Sequence, residues 1–350
     1  VPIYGYTFYA PIADTPEETA IEHWLKAFNI EKSNSNAEDD INIQLKLGAD
    51  AIRADLGFNR NEAYSNRWRS FANQIESDID ENKKQNFEPP LANASSVNEI
   101  ENYNWPVASK IIDFSLLDTL LNKIGDHKAR VATIGWEPIF CTPVLQDLFG
   151  TEELMIKMYV EPSLVEAAIK KIEDYNVEAN NLLIKYAKGR ADFIKWGDDF
   201  AGQRGLIISP EFWRRYLKPS YRKIFQIIKD NGLKVWFHSC GSFREIMPDL
   251  IDIGMDVWET VQAHLPGNEP LELKKEFGNY ITFAGGINTQ KTLTFGTPEE
   301  VKEEVRRRIE ILGKNGGYIC SSDHTILPNM PVENIIAMYE EVRNPIHSYR

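Results

Sequence analysis

The chain is predicted to be an α/β protein, a (β/α)8 TIM barrel with an N-terminal helical and irregular excursion. Three observations predict it. Apolar runs alternate with amphipathic segments through the last two-thirds of the sequence, which implies a parallel sheet. The runs are continuous rather than alternating, as strands covered on both faces are. No glycine-rich dinucleotide fingerprint follows the first run, which counts against an open doubly wound sheet, the alternative at this length.

Residues 16–32 (PEETAIEHWLKAFNIEK) have helical spacing with acids in the first turn, and 49–58 (ADAIRADLGF) reads as a strand. Residues 59–104 are polar, without a sustained period, and include ESDIDENKKQ and PPLANASS. A connection of this length is seldom idle in a compact domain. It is expected as a partly structured excursion, a lid near the barrel mouth, within one domain spanning 1–350. Strands follow at 129–135, 191–197, 234–239, 256–261, 280–285 and 317–320, with helices at 161–188, 209–231, 243–253, 269–277 and 297–313. Ser209-Pro210-Glu211 and Thr297-Pro298-Glu299-Glu300 each supply an N-cap, a first-turn proline and acids at the positive end of the helix dipole.

At 350 residues, 43% hydrophobic and 26% charged, the composition is globular and can bury a sizeable core. A net charge of −13 repels phosphate backbones and argues against nucleic acid as a partner. No apolar run approaches the ~18 residues of a membrane span. The opening VPIYGYTFYAPIADTPEET lacks the basic-then-apolar plan of a secretion signal. Three cysteines make no disulfide framework, and two of them sit in a motif that needs reduced thiols, so a cytoplasmic monomer or homodimer is expected.

That motif is the most informative feature: His238 and Cys240 in KVWFHSCGS, with a distant Cys320 in GGYICSSDH. Each residue falls at the end of an apolar run, where barrel enzymes place their chemistry. Two residues apart on an extended segment, His238 and Cys240 face the same way. Two thiolates and an imidazole suit Zn²⁺, and three protein ligands with an exchangeable fourth describe a catalytic zinc. Glu259, at a similar level on the next strand, is the candidate fourth ligand. Singly, each of these residues has a plainer explanation, as a buried thiol, a satisfied core histidine or a polar strand end. Together, at successive strand ends, they point to a metal. Zinc in such a shell suits activating a thiol, or polarising a leaving oxygen, better than making hydroxide.

Other candidates cluster at strand ends. Asp198 and Asp199 close ADFIKWGDD, as caps or loop acids, or as a substrate acceptor and a partner orienting His238 in catalysis. His324 is a candidate catalytic proton donor to a leaving oxygen. Trp136, Glu137 and Gln262 are candidate substrate contacts, and Cys141 is expected in the core.

Several segments carry a family likeness: PPLANASSVNEIENYNWP (89–106), GWEPIFCTPVLQDLFGTEEL (135–154), GDDFAGQRGLIISPEFWRRYLKPSYRKI (197–224), FHSCGSFREIMPDLIDIGMDVWETVQ (237–262), GGINTQKTLTFGTPEEVKEEV (285–305) and GGYICSSDHTILPNMPVENIIAMYEEV (316–342). With them the chain resembles the uroporphyrinogen decarboxylase superfamily and, within it, the zinc-dependent corrinoid-linked methyltransferases. Coenzyme M methyltransferases and the first methyltransferases of O-demethylase systems form that branch. The resemblance implies a (β/α)8 barrel, and the branch is marked by His-x-Cys and a distant Cys. True decarboxylases carry an arginine-rich MRQAGRY-type segment that grips substrate carboxylates. Here that region reads YGYTFYAPIADTPEET, with no arginine before Arg53. Cobalamin-independent methionine synthases are similar in ligand order, with a glutamate about one βα unit after His-x-Cys, and Glu259 fits that place. The function implied is a zinc-dependent transfer of a methyl group between a small molecule, as thiol acceptor or methylated donor, and a corrinoid carried by a partner protein. The alternatives are a uroporphyrinogen decarboxylase-like carboxy-lyase and a non-catalytic corrinoid- or metal-binding barrel.

Overall fold

A computed structural model describes residues 1–5, 20–56, 89–135, 138–141 and 144–343. Trp136, Glu137 and most of the polar excursion (57–88) lie outside the described residues.

The periodic runs become strands and helices close to where the sequence places them. The strands are β1 (Ala51–Asp55), β2 (Ala129–Thr133), β3 (Phe193–Gly197), β4 (Ala201–Gly202), β5 (Gly205–Leu206), β6 (Lys234–His238), β7 (Met255–Val261), β8 (Thr282–Ile287) and β9 (Tyr318–Ser322). Seven of them form one parallel sheet in the order β1-β2-β3-β6-β7-β8-β9, while β4 and β5 pair antiparallel as a small hairpin. Covering helices include Pro162–Ala187, Lys218–Asp230 and Pro298–Leu312. Thr297 is the expected N-cap and forms a capping box with Glu300, and Ser209 caps Phe212 N–H. Helices Asn36–Leu47 and Ser115–Ile124 lie outside the periodic runs picked out above.

The sheet is curled. Its concave face carries a separate buried cluster: Tyr4, Ala51, Val131, Trp236, Val257, Ala284 and Ile319. Alternate residues on the same strands join the much larger core beneath the helices. The extended segment Pro2–Gly5 bonds both edge strands. Tyr4 N–H donates to Cys320 O (3.0 Å) and Cys320 N–H to Pro2 O (2.9 Å), while Gly5 N–H donates to Ala51 O (3.1 Å). Residues 89–104, the described end of the polar excursion, are anchored on helices Leu145–Phe149 and Thr151–Val160 through Leu91 N–H to Leu148 O and Lys157 Nζ to Ala94 O.

Candidate metal centre

The site lies past the C-terminal ends of β3, β6, β7 and β9. His238 closes β6, and the chain then turns at Gly241. That glycine has φ 88°, and a Cβ on it would sit 2.7 Å from the Ala201 and Gly202 carbonyls, so only glycine lets the Cys240 turn lie against the β4–β5 hairpin. Asn268 Nδ2 bonds Gly241 O (3.0 Å), and Gly241 N–H donates to Gln262 Oε1 (2.8 Å). The Cys240 backbone is therefore held from both sides.

Three donor atoms converge there. His238 Nε2 is 3.7 Å from Cys240 Sγ and 3.9 Å from Asp199 Oδ1, and the three donors all lie within 4.8 Å of one another. Asp199 Oδ1 also accepts Cys240 N–H at 2.7 Å. His324 lines the same cavity wall as Cys240, and its ring centroid is 6.4 Å from that of His238. Burial pushes the Cys240 thiol up, but the His238 bond and charge, then the His324 bond, bring it to about 7. Burial pulls the His238 imidazolium down, but the Cys240 bond and charge, then Glu259, raise it to about 9. Zinc bonds of about 2.0–2.3 Å in a tetrahedral shell set donors roughly 3.3–3.8 Å apart, so the separations of 3.7 and 3.9 Å from His238 Nε2 need only small side-chain shifts for the three to share an ion.

Two expected ligands are placed elsewhere. Glu259 is fully buried and faces the other ring nitrogen: its Oε1 is 3.1 Å from His238 Nδ1 and accepts from Lys195 Nζ at 2.6 Å, while Oε2 accepts from Trp236 Nε1. Burial alone would raise its carboxyl, but Lys195 and His238 hold it well below the usual carboxylate range. Glu259 thus orients His238 rather than joining the donor cluster. Cys320 lies apart from the donor cluster. The cross-strand row through His238 runs Glu259, Ala284, Ile319, so Ile319 faces the concave side and Cys320 the opposite one. It is buried in the helix-covered core, where burial pushes its thiol up to about 12.

Asp198 is not among the cavity's lining residues. It is fully buried and accepts Ile139, Phe140 and Cys141 N–H and the Tyr221 hydroxyl, so it ties down a loop instead of meeting substrate. Cys141 is in the core, as expected. A cavity of 480 Å³ opens over Cys240 and His324, with Gln262, Thr289, Phe295 and Met330 among its walls. Gln262 therefore lines the cavity while bracing the Cys240 turn. No lysine or arginine lines it among the described residues. Sequence reasoning missed Lys195. The signal was there, because a lysine inside the apolar run ADFIKWG needs a buried partner.

A methyltransferase from Methanosarcina mazei has a similar structure, with a TM-score of 0.63 at 16% identity over 98% of this chain and 94% of that one. That likeness shows a shared fold. The uroporphyrinogen decarboxylase of Pelodictyon phaeoclathratiforme is 25% identical over 203 residues, 55% of this chain and 52% of that protein. The Danio rerio enzyme of the same name is 26% identical over 191 residues, 53% and 48% respectively. The chain spans about half the length of these curated relatives. The matched region holds the turn, both histidines and Cys240, and its profile is that of the family described as "Uroporphyrinogen decarboxylase (URO-D)" over residues 144–345. With more than half of its length matched, and with the strands that carry the donor cluster inside that match, the chain belongs to the uroporphyrinogen decarboxylase family.

Proposed function

We propose that this protein is a zinc-dependent methyltransferase that moves a methyl group between an uncharged small molecule and a corrinoid held by a partner protein. The observation that carries the reading is the convergence of Cys240, His238 and Asp199 beside a cavity that Cys240 and His324 line, with no cationic walls among the described residues. We further read the seven strands and the Pro2–Gly5 segment as a barrel of the (β/α)8 type, which puts the cavity at its C-terminal mouth.

Cys240, His238 and Asp199 would hold the ion, with His324 as a further donor beside the sulfur. Zinc bound there supplies Lewis-acid polarisation of a coordinated thiol or ether oxygen. The chain's own groups do the rest. Cys240, with a thiol near 7, offers a thiolate at neutral pH. Glu259, kept ionised by Lys195, holds the proton on His238 Nδ1 and leaves Nε2 facing the sulfur. The apolar faces of Phe295 and Met330 offer a surface for a methylated organic group.

The relatives' names favour a second reading, decarboxylation of a polycarboxylate. It needs cationic clamps that the described cavity walls lack. Metal analysis of purified protein separates the two. About one zinc per chain is expected in the wild type and in Cys320→Ser, with loss in His238→Ala and Cys240→Ser. A zinc-free wild type, or full zinc retention in His238→Ala, would overturn the methyltransferase reading.

A further inference from the structure

Asp323 directly follows β9 and is fully buried, yet it contacts two neighbouring loops at once. Its Oδ1 accepts both Thr289 N–H (3.0 Å) and the Thr289 hydroxyl (2.6 Å), from the loop after β8. Its Oδ2 lies 3.2 Å from His264 Nδ1, from the loop after β7, and its own N–H donates to Ile287 O (2.8 Å). The β7 loop is in turn joined to the Cys240 turn through Gln262 and Asn268. Hydrogen bonds therefore tie the loop after β9 to the loop after β8, with His264 of the β7 loop alongside, and the residue after Asp323 is His324. A buried carboxylate is costly unless it is well bonded, so an aspartate here needs a reason beyond filling space.

We propose that Asp323 is a positioning residue: by locking the loop after β9 to Thr289, it keeps the His324 ring beside Cys240 on their shared cavity wall. The proposal rests on the zinc reading only for what that placement achieves. The placement itself is a statement about the chain.

The test uses metal-free full-length protein and follows iodoacetamide alkylation of Cys240 against pH, with peptide mass mapping. His324→Ala should raise the alkylation midpoint, because a bond that favours the thiolate is lost. Asp323→Ala should raise it to the same place. Asp323→Asn, whose Oδ1 still accepts both Thr289 donors, should stay at the wild-type midpoint. Should Asp323→Ala not fold, Thr289→Val removes the hydroxyl bond alone and should raise the midpoint in the same direction. A wild-type midpoint in Asp323→Ala, or an equal shift in Asp323→Asn, would overturn the proposal. In parallel, zinc affinity should fall about 10–100-fold in Asp323→Ala. If the wild type binds no zinc, the zinc reading fails while the alkylation result still decides whether Asp323 places His324.

Discussion

The two nitrogens of His238 face different chemistry, and that asymmetry sets a pH signature. Nδ1 meets an anchored carboxylate and Nε2 meets a thiol. In metal-free protein the Cys240 thiol falls from 9.0 to about 7, so its contribution to stability is present above pH 9 and lost as pH falls through about 7. His238 rises from 6.5 to about 9, so its contribution is present below pH 6.5 and lost as pH rises through about 9. Both are ionised together only between those limits, roughly pH 7 to 9. Cys240 should therefore alkylate with a midpoint near 7, returning toward 9 in His238→Ala, while buried Cys141 and Cys320 stay slow. A wild-type midpoint near 9 would show that the pair is not formed. His238 and Cys240 were legible in the sequence because a spacing of two on extended chain puts both on one face. The face that Cys320 takes was not legible, because parity cannot be seen in a short run such as YIC, which is apolar toward both faces.

At the scale of the element, β3, β6 and β7 share one buried polar row. Register pairs Lys195 with Trp236 and His238 with Glu259, so the lysine, two strands away, still reaches the carboxylate that orients the histidine. Lys195→Met leaves Glu259 buried without its ammonium partner and should cost about 3–5 kcal/mol in urea unfolding. The double variant with Glu259→Leu should recover part of that loss. A single-variant cost below about 1 kcal/mol would mean the pair is not held together in the interior. Strand and helix positions were legible because period and caps are local properties. Lys195 as partner of Glu259 was not, since 64 residues separate them and only sheet order brings them together.

At the scale of the molecule, the segment Pro2–Gly5 joins the first and last strands of the sheet. Ile3 and Tyr4 are fully buried, and the Tyr4 ring meets Trp236 across the concave face at 4.7 Å between centroids. Trp236 in turn bonds Glu259, so the N-terminal segment and the site's support share one packed layer. Tyr4→Ala should cost about 3–5 kcal/mol, the range for deleting a large buried ring, with an accompanying fall in zinc affinity. Loss of stability with zinc affinity intact would uncouple the two. Among the described residues no helix is long and apolar enough to cross a membrane.

The sequence alone determined the βα rhythm, the helix caps and the pairing of His238 with Cys240, because these depend on neighbours within one element. The tertiary structure decided which of the candidate residues stand together. It turned Cys320 into the core, made Glu259 a support for His238, and brought Asp199 and His324 to the sulfur. The physical reason is that a metal shell is built from side chains of different strands. Their meeting depends on register, on which face each strand turns inward, and on the loops that carry the chain past each strand end.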